Sequence, residues 1–379
     1  MVTPAHDSGK DAASPTASPA VAPAAPPAGP ATGAHPVVPG PAARRPTITD
    51  VARAAGVSIA VVSYALNGRP GVSAATRERV LRVADEFGWR PSAAARSMRS
   101  GPRAVGLVLD RTLTGPVGYG ADVLELVVAL QDVLRTRGLA LVLQVVDDLA
   151  AAVALYGEWW AERRFDVMVV TDVRTEDPRL DALRRLRIPS VVVVGGEPTG
   201  EMATVAVEDA EATERVGRYL IELGHRQVAV VTGPDALHRT RTRVAGLEQA
   251  VATGGGVLVH EATAGTPEGA AAACRRLLTG RRPPTALVFD TDHMAVAALD
   301  VTRRTGLAVP WDVSVVSLTD SPLCRLATPS ITALPTVQVE LGTAVGHAVL
   351  QVLDGRAGLG RHIAVGGLAV RGSTGPRSR

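Results

Sequence analysis

Cysteine is nearly absent from this chain of 379 residues, and the little that is present forms no motif. Its two cysteines, Cys274 and Cys324, lie fifty residues apart, with no Cys-x-x-Cys pair and no cluster with histidine. This spacing excludes a disulfide framework and a zinc site, and it fits a reducing cytoplasm. His225, His238 and His293 also lack metal-ligand spacing. We therefore expect neither a metal ion nor another cofactor.

Aromatic residues and long apolar runs are also scarce. Aromatics make up 3% of the chain and hydrophobic residues 46%, so Ala, Val and Leu must fill the core. No apolar run approaches the roughly 20 residues of a membrane-spanning helix, and the N-terminus does not read as a secretory signal. The chain has no Gly-x-Ser-x-Gly elbow, and its glycines at 118–120 and 254–256 lack the frame of a nucleotide-binding turn. These absences predict a protein that is not an enzyme.

Basic charge, by contrast, is concentrated in one segment. Residues 44–103 hold eleven arginines and four acidic residues, a net charge of +7, whereas the whole chain carries +3. The remainder is therefore mildly acidic. A basic segment on an acidic body is the electrostatic pattern of a protein that binds nucleic acid.

The same segment has the spacing of three short helices. Thr47 and Asp50 can form a capping box for a first helix, which Gly56 ends. A second helix is expected after Ser58 and a third from about Ser73. The residues expected to be buried are Val51, Ala52 and Ala55, then Val61, Val62 and Ala65, then Val80, Leu81, Ala84 and Phe87. Two short helices joined by a glycine turn, with a third to complete the core, form a helix-turn-helix unit.

Composition divides the rest of the chain. Residues 1–45 are about half Pro and Ala with no periodic apolar face, which predicts a disordered tail. From residue 104 onward, strand runs alternate with amphipathic helices. The strands are expected at 105–109, 139–146, 167–170, 190–194, 228–231, 286–289 and 313–318. Repeated βα units imply parallel sheets covered by helices on both faces, and their number favours two similar halves with a cleft between them.

The motifs of this chain resemble those of the LacI/GalR family of transcriptional regulators. In the basic segment the match runs through TITDVARAAGVS at 47–58, VSYALNG at 62–68, GWRP at 88–91 and ARSMRSG at 95–101. In the body it includes IELGHR at 221–226, DHMA at 292–295, GLAVPWDVSVV at 306–316 and LAVRGST at 368–374. The resemblance covers everything except the tail.

The resemblance implies an α/β protein with an added all-α head. The head would be a helix-turn-helix domain at 46–90, followed by a hinge helix at 91–102 and a bilobal core of periplasmic-binding-protein type at 103–374. In that core the chain would cross three times between two doubly wound parallel-sheet subdomains. The first subdomain is expected at about 103–200 and 322–355, and the second at about 201–321 and 360–374.

For DNA, the resemblance places the second helix in the major groove, with Ile59, Ala60 and Tyr64 facing the base edges. Isoleucine and alanine make only apolar contacts, and tyrosine offers one hydroxyl. We therefore expect an operator unlike those of relatives that carry arginine at the third position. The residues expected to contact phosphates are Ser58, Ser63, Asn67 and Ser73. Plain helix capping is the alternative explanation for these four.

For the hinge, the resemblance implies a short helix that forms when two protomers meet over the minor groove. Met98 stands where the family wedges a leucine into the central base step, and a flexible apolar side chain suits that role. Ala95 allows two such helices to pack closely, and Arg99 can reach the backbone or the groove floor. The alternative for Met98 is packing against its own head.

For the effector, the resemblance points to the cleft of the core. Arg243 matches the position where relatives hold a polar ligand group, and Thr291 and Asp292 match an Asn-Asp pair at a strand end. Thr319 and Asp320 depart from the usual Phe-Asp-Asp, because a threonine replaces a carboxylate that binds sugar hydroxyls. The effector is thus expected to be a sugar or another metabolite. Arg243 as a helix surface charge and Asp292 as a helix cap are the structural alternatives.

These observations predict a cytoplasmic, sequence-specific DNA-binding transcriptional regulator, a repressor whose hold on a pseudo-palindromic operator is modulated by a small effector. The expected partners are double-stranded DNA, the effector and a second copy of the chain, and no membrane. Two alternatives stay open, a ligand-binding protein and an enzyme that uses the cleft, with DNA binding secondary or lost in either case.

Overall fold

In the computed structural model the chain divides into two compact units, Met1–Ser92 and Ala93–Arg379. The structure describes residues 46–66, 69–87, 89, 104–113, 121–196, 202–356 and 360–377. The predicted tail at 1–45 and the predicted hinge at 91–102 lie outside these residues.

The described part of the first unit consists of three helices, as the sequence predicts. They are α1 (Ile48–Ala55), α2 (Ile59–Leu66) and α3 (Ala74–Glu86). The predicted capping box is present at the start of α1. The backbone N of Thr47 donates to Asp50 Oδ2 at 2.8 Å, and the backbone N of Asp50 donates to Thr47 Oγ1 at 3.4 Å. Gly56 ends α1 with a φ of 64°, a left-handed conformation that glycine adopts without a Cβ penalty.

Small apolar side chains fill the core between these helices. The fully buried members are Val51, Ala52, Ala55, Val62, Ala65, Val80 and Ala84. Two residues that were expected there are exposed, Leu81 at 46% and Phe87 at 41%. Leu81 follows Val80 by one residue and so points about 100° away around the helix. Phe87 lies beyond the last helical residue, and Trp89 packs against the core in its vicinity instead.

The first half of the second unit is a six-stranded parallel sheet. Its strands are β1 (Ala104–Asp110), β2 (Ala140–Val146), β3 (Val167–Val170), β4 (Ser190–Gly195), β5 (Ala203–Val207) and β11 (Arg361–Ile363), in the order β11-β5-β4-β3-β1-β2. The helices that cover it are α4 (Ala121–Arg135) and α12 (Gln338–Leu353) on one face, and α5 (Leu149–Ala161) and α6 (Pro178–Leu186) on the other. Continuous Val and Leu runs form its strands because both faces are buried.

The second half is a five-stranded parallel sheet. Its strands are β6 (Gln227–Thr232), β7 (Val257–Ala262), β8 (Ala286–Phe289), β9 (Ser314–Ser317) and β10 (Thr332–Ala333), in the order β10-β9-β8-β6-β7. The helices on one face are α7 (Asp209–Glu222) and α8 (His238–Thr253). Those on the other are α9 (Pro267–Leu278), α10 (Asp292–Arg304) and the short α11 (Pro322–Leu326). The prediction of two α/β halves is therefore confirmed.

The chain crosses between the halves three times, but at positions other than those expected. Strand β5 pairs with β4 and strand β11 pairs with β5, so both belong to the first sheet rather than the second. Residues 322–333 belong to the second half, because Cys324 lies in its core and β10 pairs with β9. The crossings therefore fall near residues 208, 335 and 364. The prediction placed them elsewhere because short strands join a sheet through backbone hydrogen bonds, which composition does not reveal.

Candidate nucleic-acid interface and ligand cleft

One face of α2 carries side chains that the head does not use for packing. Val62 and Ala65 are buried, whereas Ile59, Ala60 and Tyr64 are exposed, Ile59 to 48% and Tyr64 to 42%. The three residues predicted to face DNA bases thus share the surface of one helix. The exposed face is apolar apart from the tyrosine hydroxyl.

A guanidinium group lies next to this face. The Cζ atom of Arg69 is 5.8 Å from the centroid of the Tyr64 ring, within the range of a cation–π contact. Arg77 lies nearby and donates from Nη2 to the Arg69 carbonyl at 2.8 Å. Positive charge therefore borders the exposed face of α2, where an approaching polyanion is attracted.

The serines predicted to contact phosphates serve the helix ends. Ser58 Oγ accepts from Val61 N at 3.3 Å, and Ser73 Oγ accepts from Thr76 N at 3.2 Å. Ser63 is half-buried on α2. Capping uses one lone pair of a serine hydroxyl, and the Ser73 hydroxyl also lies 2.8 Å from Thr76 Oγ1, which leaves each hydroxyl further capacity for a phosphate contact. Four predicted DNA contacts lie outside the described residues, namely Asn67, Ala95, Met98 and Arg99.

In the core, Arg243 is a buried clamp rather than the surface charge of the alternative interpretation. Its Nε donates to Asp209 Oδ1 at 2.7 Å, and its Nη1 donates to Asp290 Oδ1 at 2.6 Å. Burial by itself would raise the pKa of Asp290, but the nearby guanidinium groups of Arg243 and Arg239 outweigh it and hold that pKa below its usual range. The clamp ties the start of α7 to α8 and to the end of β8.

Thr291 and Asp292 begin α10 and are engaged with the neighbouring histidine. Asp292 Oδ1 accepts from the backbone N of His293 at 2.8 Å and lies 3.2 Å from His293 Nδ1. Thr291 Oγ1 lies 3.2 Å from His293 Nε2. The hydrogen bond to Asp292 raises the pKa of His293 above its ordinary value, against the effect of burial. Asp292 is the first residue of α10 and not its N-cap, which is Thr291 and has no side-chain cap hydrogen bond, so the capping alternative for Asp292 is wrong.

Thr319 and Asp320 follow β9 and are also held by other groups. Thr319 Oγ1 donates to the Asp290 carbonyl at 3.1 Å. Asp320 receives a bidentate pair from Arg371, with Nη1–Oδ1 and Nη2–Oδ2 distances of 2.9 and 2.7 Å. Arg325 adds a third contact at 3.1 Å. The five residues predicted for the effector thus lie at the ends of β8 and β9 and on α8, but each has a protein partner.

A cavity lies between the halves at the carboxyl ends of the first sheet. The space inside it, with the open solvent at its mouth included, is about 740 Å³. Its polar lining comes from Asp122, Thr171, Asp172 and Gln338 of the first half and from His238 and Arg239 of the second; its apolar lining is aliphatic. None of the five predicted effector residues lines it.

Backbone hydrogen bonds join the two halves beside this cavity. Thr175 N donates to the Ala236 carbonyl at 3.0 Å, and His238 N donates to the Val173 carbonyl at 2.9 Å. An antiparallel bridge between Arg174 and Leu237 lies between them. The loop after β3 and the segment before α8 thus join the two walls of the cleft at this point.

The sequence interpretation missed several residues that matter here, among them Asp209 and Asp290 of the clamp and Arg239 of the cavity wall. Arg239 stands four residues before Arg243 on the same helix face, a signal that the sequence did contain. Asp209 had no such signal, because its contact with Arg243 spans 34 residues. Within the described residues, no group of three or more His, Cys, Asp or Glu side chains has the geometry of a metal site.

Fold and site together define a protein with a helix-turn-helix head and a two-lobed core that encloses a cavity. The family described as bacterial regulatory proteins, lacI family, matches residues 47–92, and the periplasmic binding protein-like domain matches residues 218–374. The transcriptional repressor PurR of Erwinia tasmaniensis is 30% identical over 310 residues, which cover 80% of this chain and 89% of that protein. The chain belongs to the LacI family.

Solved structures agree on the fold. A LacI family regulator from Bifidobacterium animalis is 28% identical with a TM-score of 0.66, covering 74% of this chain and 100% of that chain. The regulator CelR in complex with cellobiose is 26% identical with a TM-score of 0.64, covering 87% and 100%. The lac repressor dimer bound to operator and the anti-inducer ONPF is 22% identical with a TM-score of 0.75, covering 88% and 100%.

Among the described residues, no single helix is long and apolar enough to cross a membrane. Only α1 and α2 taken together reach that length and composition, and they are bent by 98°.

Proposed function

We propose that this protein is a transcriptional repressor that binds a pseudo-palindromic DNA operator as a homodimer and responds to a small molecule in the core cleft. The observation that carries the proposal is the exposed, cation-bordered face of α2 in a chain whose core also contains a cavity between two lobes. Its relatives are transcriptional regulators, so the cavity is assigned to ligand binding rather than to turnover. Its place of action is the cytoplasm.

The reading residues are Ile59, Ala60 and Tyr64. A helix in the major groove presents its outward side chains to base edges. Ile59 and Ala60 then suit a thymine methyl, and the Tyr64 hydroxyl supplies one hydrogen bond. Arg69, placed over the tyrosine ring, suits a neighbouring phosphate. Ser58, Ser63, Asn67 and Ser73 fix the register on the backbone, and Ala95, Met98 and Arg99 act in the minor groove as a packed hinge and wedge.

Exposed apolar side chains support the homodimer. On the adjacent helices α4 and α12, Leu124, Val128 and Val339 are all more than half exposed and line a shallow groove. On the short α11, Leu326 is 82% exposed. Surfaces of this kind on a soluble protein mark interaction sites, and the similar lac repressor was solved as a dimer on its operator. A two-fold dimer accounts for two half-sites in the operator.

Ligand control follows from the two-lobed core. CelR was solved with cellobiose, and the lac repressor with the ligands ONPF and ONPG. A ligand that bridges the two walls of the cavity favours one setting of the lobes over the other. It then changes operator affinity only by its differential affinity for the two settings, about 1–3 kcal/mol in typical cases. Thr291, Asp292, Thr319 and Asp320 follow β8 and β9 in the second lobe, outside the cavity lining, and can join such a change by exchanging partners.

The test is selection of genomic DNA fragments by the purified full-length protein, with footprinting at physiological salt. We expect enrichment of a short inverted repeat, and the same selection with a host metabolite extract should change the yield. A protein carrying Tyr64→Ala should select a shifted consensus. Failure to enrich any sequence, with or without extract, would contradict the proposal and favour a ligand-binding protein or enzyme whose head has lost specific DNA binding.

A further inference from the structure

Two arginines stand one turn apart on α8, and they are in opposite states. Arg243 is buried and donates to both Asp209 and Asp290, so its guanidinium is neutralised by two carboxylates. Arg239 lines the cavity, and no described residue forms a hydrogen bond or an ion pair with its side chain. Its electrostatic influence reaches Asp290 without contact, because it helps to lower the pKa of that carboxyl. Only the outer arginine is therefore available to a ligand.

A second polar group on the same wall also lacks a partner. His238 precedes Arg239 and lines the same cavity. Its backbone N is used in the contact with Val173 across the halves, but its ring Nδ1 is buried without a hydrogen-bond partner. A buried polar atom without a partner costs free energy in a folded protein, so a ring rotation that brings Nδ1 from its buried position to a ligand in the cavity would be favoured.

The opposite wall carries the opposite charge. Asp122 at the start of α4 and Asp172 after β3 line the cavity from the first half, together with the hydroxyl of Thr171. Carboxylates accept hydrogen bonds from hydroxyl or amino groups, whereas a guanidinium binds oxyanions through a planar fork of donors. Apart from His238, the described residues that line the cavity include no aromatic ring on which a flat base would stack.

We propose that Arg239 determines effector specificity, and that the effector carries an oxyanion, a phosphate or a carboxylate, against Arg239 and His238. Its hydroxyl or amino groups face Asp122 and Asp172. Arg243 acts as a positioning residue that fixes α8 through Asp209 and Asp290 and does not contact the ligand. The inference rests on the proposed function, because it concerns the ligand of the same cleft.

The test uses the full-length protein with simple probes. Thermal unfolding is followed while inorganic phosphate, gluconate or glucose is added at constant ionic strength. We expect phosphate or gluconate, but not glucose, to raise the melting temperature of the wild type in a saturable manner. Arg239→Ala should abolish that rise and Arg239→Lys should retain part of it. A response to phosphate alone identifies a phosphorylated effector, and a response to gluconate alone identifies a hydroxylated acid.

The matched control is Arg185→Ala, which removes an exposed arginine of α6 outside the cavity and should respond like the wild type. Phosphate bound to the basic head should raise the melting temperature equally in every variant. The test therefore compares the rise in melting temperature between variants. The proposal is overturned when no oxyanion stabilises the wild type, or when Arg239→Ala responds as strongly as the wild type. Genomic selection requires no added oxyanion, so a protein that selects an operator yet fails this test loses only the present inference.

Discussion

The head and the cleft use their polar residues in different ways. In the head, Ile59, Ala60 and Tyr64 extend from α2, and the polar side chains of Ser58 and Ser73 cap α2 and the neighbouring α3 through short-range hydrogen bonds. In the core, the predicted effector residues form ion pairs with other protein side chains. Arg243 pairs with Asp209 and Asp290, and Asp320 pairs with Arg371. The predicted base-reading side chains are exposed in the folded head, whereas Arg243 and Asp320 of the core are already paired with other charged side chains.

The difference indicates how each region can be changed. Ile59, Ala60 and Tyr64 on the exposed face of α2 lie outside the buried core of the head, so the replacement of one of them should alter recognition and leave the fold intact. A charge in the cleft core supports several elements, and removing one partner leaves the other buried and unpaired. Functional and structural effects are therefore separable in the head, and in the core they separate only at groups such as Arg239.

The largest expected effect comes from breaking the buried clamp. Arg243→Ala leaves Asp209 and Asp290 buried without their cation, and we expect a loss of about 3–5 kcal/mol in the free energy of unfolding of the core. Urea unfolding of the full chain, followed by tryptophan fluorescence, measures it, because three of the four tryptophans, at 159, 160 and 311, belong to the core. The matched control on the same helix is Arg239→Ala, which removes an unpaired side chain and should cost no more than about 0.5 kcal/mol. Equal losses of unfolding free energy in both variants would contradict the assignment of a structural role to Arg243 alone.

The sequence predicted the head almost completely because its determinants are local. The capping box, the glycine at position 56 and the periodicity of α2 act within four or five residues, and each is present in the structure. The predictions failed where a residue fell just beside the buried face or just past the helix end, as for Leu81 and Phe87. Helix periodicity therefore predicts the centre of the buried face well, and the residues at the border of that face or past the helix end poorly.

The cleft was less predictable because its contacts are distant in sequence. The family resemblance located Arg243, but only the fold reveals that Asp209 and Asp290, 34 and 47 residues away, neutralise it. The places of β5 and β11 in the first sheet were also not predicted, because no local sequence pattern indicates which strand each one pairs with. Side chains that line the cavity, such as Asp122 and Arg239, come from opposite halves and meet only when three chain crossings are in place.

A smaller effect, confined to recognition, is expected at Tyr64. Tyr64→Ala should change the base preference at one position of each half-site by about 1–3 kcal/mol, because the hydroxyl and the ring that carries Arg69 are both lost. Competition binding to operator variants with single base changes measures the effect, and Tyr64→Phe separates the hydroxyl from the ring. Leu81→Ala removes an equally exposed apolar side chain from α3 and should leave the preference unchanged. An unaltered preference in Tyr64→Ala would remove Tyr64 from the reading set.

The smallest effect is expected at the first cap of the head. Asp50 Oδ2 accepts from the backbone N of Thr47 at 2.8 Å and from its hydroxyl at 2.6 Å, so the box depends on two residues three positions apart. Thr47→Ala should destabilise α1 by about 1 kcal/mol, seen as faster hydrogen exchange of its amides in the full chain. Thr47→Ser keeps the oxygen and should exchange like the wild type. Because this cap is local, the free energy of unfolding of the core, measured in urea, should be the same in Thr47→Ala and the wild type. A lower value in the variant would contradict the expectation that the head can be altered without affecting the core.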